Sequence, residues 1–429
     1  MLFCLMSRES KWADCLPGSI SFPPPSMSKL GKTMNVSEYL EQLTRWPHRG
    51  STTEYERQAA EYLHKCMEEM GLETRLEHFV SHTSFSWIYL IIYGGFLLGG
   101  AFGWNHPFFG LLVCCLMFAL FYGECTSLWK GLAGILPKRP SQNVLGVLPN
   151  EKARKKVVLV AHYDTSKSGL NFHPSAVGSF RRSFLLSIFI MALLIEVLVI
   201  RFFEGEGTLL YVLWLISLVY LLSPVILLLH REMFGQYVQG AADNASGVAS
   251  MLAVAKKLSE KSPAHLEVWC LATGCEEVNL VGMAAFLRAH QYELNPETTY
   301  FLNFDNLGSG SLRYITAEGV LRVFPSACEL VAIADRLSQR EQFSGVRPYV
   351  YKRATLDALV ASSRGYKTMS LMALNENDEI VHWHWPSDIL ENVDVSVAEK
   401  AAAFAHAVLA ELDIHVEANQ RGEGDGRST

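Results

Sequence analysis

The sequence is short of charge. Asp, Glu, Lys and Arg make up only 19% of the 429 residues, where a soluble chain carries about 25%. A basic excess is also missing: 37 Lys and Arg stand against 43 Asp and Glu, a formal charge of −6. That excludes a nucleic-acid binder built on a positive surface. A disulfide framework is missing too. The nine cysteines are odd in number, none stands in C-x-x-C spacing, and Cys114 and Cys115 adjoin inside an apolar run, which fits a reducing compartment. No internal repeat is visible, and the apolar run at residues 1–6 is too short for the core of a signal peptide. A disordered chain, a small disulfide scaffold and a coiled coil are all excluded.

What is present is apolar length. Hydrophobic residues reach 50%, concentrated in four stretches at 85–104, 107–122, 184–203 and 209–229. A bilayer core takes about 20 apolar residues as a helix; three stretches meet that length and the second is slightly short. They form two hairpins, turning at 103–107 and 204–208, so the rest of the chain returns to one face of the membrane. Lys130, Lys138, Arg139, Arg181, Arg182 and Arg231 flank the helices on that side, against Arg201 on the other. The positive-inside rule then predicts a multi-pass protein of a plasma or inner membrane with its soluble part in the cytoplasm.

The remaining segments alternate between strand and helix patterns. Strands are expected at 73–80, 142–148, 157–161, 266–272, 300–304 and 368–373. Helices are expected at 36–46, 53–70, 245–259, 278–290, 321–340, 355–363 and 393–412. Such alternation means an α/β domain with a mostly parallel sheet and helices on both faces. The organisation reads as a disordered leader (1–34), a soluble domain in three pieces (35–82, 131–182, 233–415), transmembrane hairpins at 83–130 and 183–232, and a disordered tail (416–429).

Polar side chains collect at the C-terminal ends of the buried strands, where open α/β sheets place their sites. The strand at 157–161 runs into His162-Tyr163-Asp164, in which an imidazole can bind a metal while the carboxylate steadies it. Asp243 lies at a loop-to-helix junction, where a helix cap is the plainer reading. Strand 266–272 leads to Glu276-Glu277, and strand 300–304 ends in Asp305. A proline-stiffened loop carries His382 and His384. Cys275, beside the glutamates, reads as a small buried filler. Each feature alone has an ordinary explanation; together, three carboxylate sites and two imidazoles at one sheet edge suit two divalent ions, and zinc accepts both donor types.

At this point the chain resembles metallopeptidase family twenty-eight, the co-catalytic zinc aminopeptidase family. The matching motifs are HYDT (162–165), GAADNASGVA (240–249), EEVNLVG (276–282), NFDNLG (303–308) and HWPSD (384–388), with HRGSTTEYERQAAEYL (48–63) near the N-terminus. The resemblance implies a zinc-exopeptidase-like three-layer αβα domain with a mostly parallel mixed sheet, interrupted here by the two transmembrane hairpins. It implies two Zn2+ ions, one held by His162 and Asp305, the other by Glu277 and His384, with Asp243 bridging. Glu276 would be the general base and Asp164 would orient His162. It also implies a cis peptide at Asp243–Asn244 and a peptide substrate. The chain departs from the pattern in the long insertion between His162 and Asp243, in Trp383 where tyrosine is usual, and in the spare imidazole of His382. The expected activity is a membrane zinc aminopeptidase. A carboxypeptidase, with Arg353 or Arg364 receiving the substrate carboxylate, a glutaminyl-cyclase-like enzyme and a silent membrane scaffold are the alternatives. Nothing in the sequence identifies a protein partner.

Overall fold

The computed structural model describes residues 34–126 and 131–425; most of the expected leader, Lys130 and the last four residues lie outside them. The chain opens with α1 (Val36–Leu43) and α2 (Glu54–Glu69), the latter capped by the Thr53 hydroxyl, which accepts the Glu56 amide. It continues through β1 (Glu73–Ser81), the long helices α3 (Ser86–Gly103) and α4 (Pro107–Thr126), then β2 (Arg139–Leu148) and β3 (Lys155–His162). A short α5 (Pro174–Val177) precedes two more long helices, α6 (Phe180–Glu204) and α7 (Thr208–Phe234). Next come α8 (Ser246–Glu260), β4 (Leu266–Thr273), α9 (Val281–Ala289), β5 (Thr299–Phe304), β6 (Ser311–Glu318) and β7 (Phe324–Pro325). Finally there are α10 (Cys328–Ser338), β8 (Arg347–Tyr351), α11 (Asp357–Ser362), β9 (Lys367–Leu374) and α12 (Val395–Asp425).

The strands form one mixed sheet ordered β1-β2-β4-β3-β5-β9-β6-β7, with β8 beside β6. Its centre, β4-β3-β5-β9, is parallel. β3 shows why: Val157, Leu159 and Ala161 pack on one face with α1, α2, α8, α10 and α12, while Val158 and Val160 pack on the other with α9 and α11. A strand apolar on both sides has to be covered on both sides. The fold is therefore a three-layer α/β architecture, one mixed sheet between two layers of helices.

Three local expectations need correction. The helix expected over 321–340 begins only at Cys328, because Pro325 cannot continue a helix and Phe324 and Pro325 instead pair with β6. Strands β6 and β8 were not anticipated; both lie near the sheet edge, where the pattern mixes polar and apolar residues. The closing helix extends to Asp425, past the start of the expected tail, since Glu417, Ala418, Gln420 and Arg421 are good helix formers.

The four long helices have 18, 20, 25 and 27 residues and are apolar enough to cross a membrane. They pack around their own apolar cluster, which includes Ile92, Phe96, Met191 and Leu221. A Cβ on Gly110 would sit 2.3 Å from the Gly103 Cα, so α3 and α4 cross at a contact only glycine allows. Outward, Leu98, Phe189, Phe203, Leu209 and Val219 stand 62–77% exposed, an apolar belt far beyond that of a soluble surface.

Both insertions leave the chain at closed points. Ser81 pairs with Arg139 across β1 and β2, so the first hairpin starts and ends side by side. Lys167 bridges Tyr237 around the second. Inserting chain between ends already held together disturbs the sheet little.

Arg231, counted above among the flanking positive charges, does not face a headgroup region. It is 2% exposed and donates to the hydroxyls of Ser84, Ser86 and Ser166 at 3.0–3.1 Å. Its guanidinium lies 4.3 Å from the Phe85 ring centre, and Glu232 beside it takes up Lys167 at 3.2 Å. This cluster ties α7 to the start of α3 and to the loop after His162. Removing one member of a buried pair typically costs about 3–5 kcal/mol. Arg231→Met should therefore lower the unfolding midpoint of the full chain strongly, whereas Arg57→Met, which breaks an exposed pair, should change stability by no more than about 0.5 kcal/mol. Equal midpoints for the two variants would contradict this role for Arg231.

Candidate metal centre

Because β3, β4 and β5 run parallel, their C-terminal ends share one edge, and each delivers a polar group there. His162 is the last residue of β3, Asp305 follows β5, and Glu276 and Glu277 follow β4. Asp243 comes from the loop before α8 and His384 from the loop after β9. Cys275, Asn306 and His384 adopt φ values of 55, 50 and 48°, left-handed backbone that non-glycine residues rarely hold and that collects at functional sites. The Asp243–Asn244 peptide is cis.

The distances bring the five expected metal ligands together. His162 Nε2 lies 3.2 Å from Asp243 Oδ1 and 3.8 Å from Asp305 Oδ2. His384 Nε2 lies 3.2 Å from Asp243 Oδ2 and 3.0 Å from Glu277 Oε2. One donor atom each from His162, Asp243 and Glu277 falls within 4.8 Å of the others. Glu276 lines the same cavity. His382 stays outside the cluster, with its Nδ1 2.7 Å from the Ser387 hydroxyl.

Asp164 is placed with more to do than steady an imidazole. Its carboxylate is 3.7 Å from His162 Nδ1, which lies closer, at 3.2 Å, to the Asp164 carbonyl oxygen. Its two carboxylate oxygens instead accept the backbone amides of Glu276 and Glu277 at 3.0 and 3.2 Å, and the Ser51 hydroxyl at 2.5 Å. It thereby fixes the turn that carries both glutamates.

Three residues that sequence reasoning left without a role support the site. Asp388 accepts the amides of Ala242 and Asp243 at 2.6 and 3.1 Å. Arg49, fully buried, donates to the carbonyls of Leu43, Tyr163, Gln239 and Gly240 at 2.7–3.0 Å, joining the strand end to the Asp243 loop. Asp357, also buried, accepts the Thr273 hydroxyl at the end of β4. Asp388 and Arg49 lie inside matching motifs; only the long-range contacts, absent from the local pattern, reveal what they hold.

Burial raises Asp305 to about 7, His162 opposes the rise, and Asp243 adds to it. Asp388 is likewise pushed up to about 7 by burial and by Asp243. Glu276 is held well above the carboxylate range by burial, with Glu277, Asp357 and Asp305 adding to the effect and His162 opposing it. Burial disfavours charge on His384, but Glu277 and Asp243 raise it to about 9. Asp243 goes the other way: despite burial, both imidazoles hold it well below its ordinary value. So much confined carboxylate needs positive charge. Imidazole nitrogen and carboxylate oxygen are zinc donors, and the buried Glu277 Oε1 has no hydrogen-bond partner. The residues fit the metal.

The comparisons with known proteins agree. The family model for peptidase family M28 matches residues 224–409, a stretch that holds Asp243, Glu276, Glu277, Asp305 and His384. Over this stretch, somewhat under half of its length, the chain is similar to peptidase family M28. The sequence matches none of the curated proteins. Among solved structures, the chain is similar to BSAP, a zinc aminopeptidase from Bacillus subtilis, at 12% identity and a TM-score of 0.52 over 88% of this chain and 94% of that one. A leucine aminopeptidase precursor from Bacteroides thetaiotaomicron gives 12%, 0.51, 88% and 96%. A Zn-dependent exopeptidase from Parabacteroides distasonis gives 14%, 0.50, 88% and 96%. At these identities the structural likeness shows the fold; the M28 match adds a zinc-dependent peptidase.

Behind the site, Glu318 on β6 is buried and bonded to the Ser370 hydroxyl at 3.2 Å. Burial, with Asp305 and Asp357 adding to it, raises its pKa from 4.5 to about 8. The raised value means the folded state binds this proton more tightly, so its contribution is complete below about 4.5 and is lost as pH climbs through about 8. Wild-type stability should therefore fall relative to Glu318→Gln between about pH 5 and pH 9 in unfolding measurements; a gap that does not change with pH would rule this out.

Proposed function

We propose that the chain is a multi-pass membrane aminopeptidase that uses two zinc ions and faces the cytoplasm. The observation that carries the reading is the position of Asp243, whose two carboxylate oxygens each face a different imidazole at 3.2 Å. His162 and Asp305 would hold one ion, Glu277 and His384 the other, and Asp243 would bridge them. Bound there, zinc would polarise the scissile carbonyl and bring the pKa of water towards neutrality.

The chain's own residues do the rest. Glu276 takes a proton from the attacking water; as the C–N bond breaks, it returns that proton to the leaving amine. Asp164 holds the amides of Glu276 and Glu277, which fixes where the base points. Asp388 does the same for the Asp243 loop. The cavity offers a substrate carboxylate little: Arg353 is the one Lys or Arg among the described residues that line it. Arg353 already donates to the carbonyls of Val177 and Asp378 at 2.9 and 3.2 Å, so it is engaged by backbone, and Arg364 does not line the cavity. The membrane part rests on the four long apolar helices and the cytoplasmic orientation on Lys138, Arg139, Arg181 and Arg182.

The full chain, purified in detergent with zinc, should release N-terminal residues from peptides and lose this activity to a chelator. Glu276→Gln should retain zinc and lose about 10²–10⁴ in kcat, while Asp243→Asn should lose both zinc and activity. Release from the C-terminal end, or a Glu276→Gln variant of unchanged kcat, would refute the assignment.

A further inference from the structure

The metal centre does not end at the sheet edge. It forms one end of a cavity of about 530 Å³, and about half of the remaining wall is contributed by the long apolar helices. Tyr89 and Tyr93 come from α3, Phe184 and Ser187 from α6, and Tyr220 and Leu227 from α7. Tyr93 and Ser187 lie about two helical turns into their helices, so the space runs roughly 10 Å along the bundle. The hydroxyls at that depth are satisfied inside it: Ser187 and Tyr220 both donate to the Ser183 carbonyl, at 3.0 and 3.1 Å. What faces the interior is mainly aromatic and aliphatic surface, and Phe172 and Trp383 continue it up to the His384 ring, 4.4 and 5.0 Å away between ring centres.

Between α6 and α7 this cavity reaches the outside of the bundle. Leu186 lines it and is 45% exposed; Ser183 and Ser223 line it and are exposed as well. Their neighbours on the outer face are Leu222 and Ile226, 45% and 55% exposed. Pro224, also in the lining, interrupts the α7 hydrogen-bond ladder at the same level. The opening therefore sits within the apolar belt.

We propose that the substrate is an amphipathic peptide whose N-terminal residue bears a long or bulky apolar side chain, lodged between the helices, and that it reaches the metal centre sideways from the bilayer through the α6–α7 opening. This rests on the aminopeptidase reading above. The polar scissile bond then meets the carboxylates and imidazoles at one end while the apolar group fills the other. Pockets of this size, mostly apolar with a few convergent polar groups, hold small ligands, and each methylene a pocket accepts changes discrimination by about tenfold or more.

The test uses the full chain in detergent with zinc, and anilides of alanine, norleucine and 2-aminododecanoic acid. The 2-aminododecanoyl substrate should exceed the alanyl one in kcat/KM by at least about a hundredfold. Ser187→Phe, which fills the deep end, should lower that ratio by about tenfold. Ser223→Trp, which narrows the exposed mouth without repacking the bundle, should lower it similarly. Metal-dependent hydrolysis of all three anilides at equal kcat/KM would leave the peptidase reading standing and overturn this inference alone, as would ratios that neither variant alters. If folded, zinc-loaded protein cleaves none of them, the reading itself fails and takes the inference with it.

Discussion

Negative charge withdrawn from water is the constraint on which this structure depends. Asp164, Asp243, Glu277, Asp305 and Asp388 are all buried within one region of the sheet edge, and a carboxylate there carries a penalty of several kcal/mol unless it is compensated. The compensation comes in layers. Two imidazoles stand against Asp243, backbone amides fill the oxygens of Asp164 and Asp388, and Arg49 lies behind them all. Burial lowers the Arg49 pKa to about 10, opposed by Asp388, Asp164 and Asp243, so its guanidinium stays charged at neutral pH. What these groups leave unmatched, above all the unpartnered oxygen of Glu277, is where a dication fits.

The long helices are inserted at two places where the chain is already closed on itself, between the paired ends of β1 and β2 and around the Lys167–Tyr237 bridge. The second lies directly between His162 and Asp243, so the helices are anchored to the loops that carry the proposed metal donors. The Arg231 cluster makes the anchoring specific: hydroxyls from the start of α3 and from the loop after His162 converge on one buried guanidinium. The edge of the sheet and the apolar bundle thus share one cavity.

Much of this was legible in the sequence because it is local. Continuous apolar runs gave β3, β4 and β5, and a polar group at the end of each marked the edge. The four long helices were visible as unbroken apolar length. His162, Asp243, Glu277, Asp305 and His384 could be chosen by motif and do meet in space. What escaped depends on partners far away in the chain. Arg49 finds carbonyls at 163 and 239–240, Asp357 finds Thr273, and Arg231 pairs with serines at 84, 86 and 166 rather than facing lipid headgroups. The misplaced start of α10 is different in kind, since Pro325 stood in the sequence and its veto on helix was available.

The most direct measurement of the account is anomalous X-ray scattering at the zinc absorption edge, from crystals of the full chain grown with zinc. The account predicts two anomalous peaks, one next to the His162 ring and one next to the His384 ring, with the Asp243 carboxylate between them. A single peak, or peaks remote from Asp243, would contradict it.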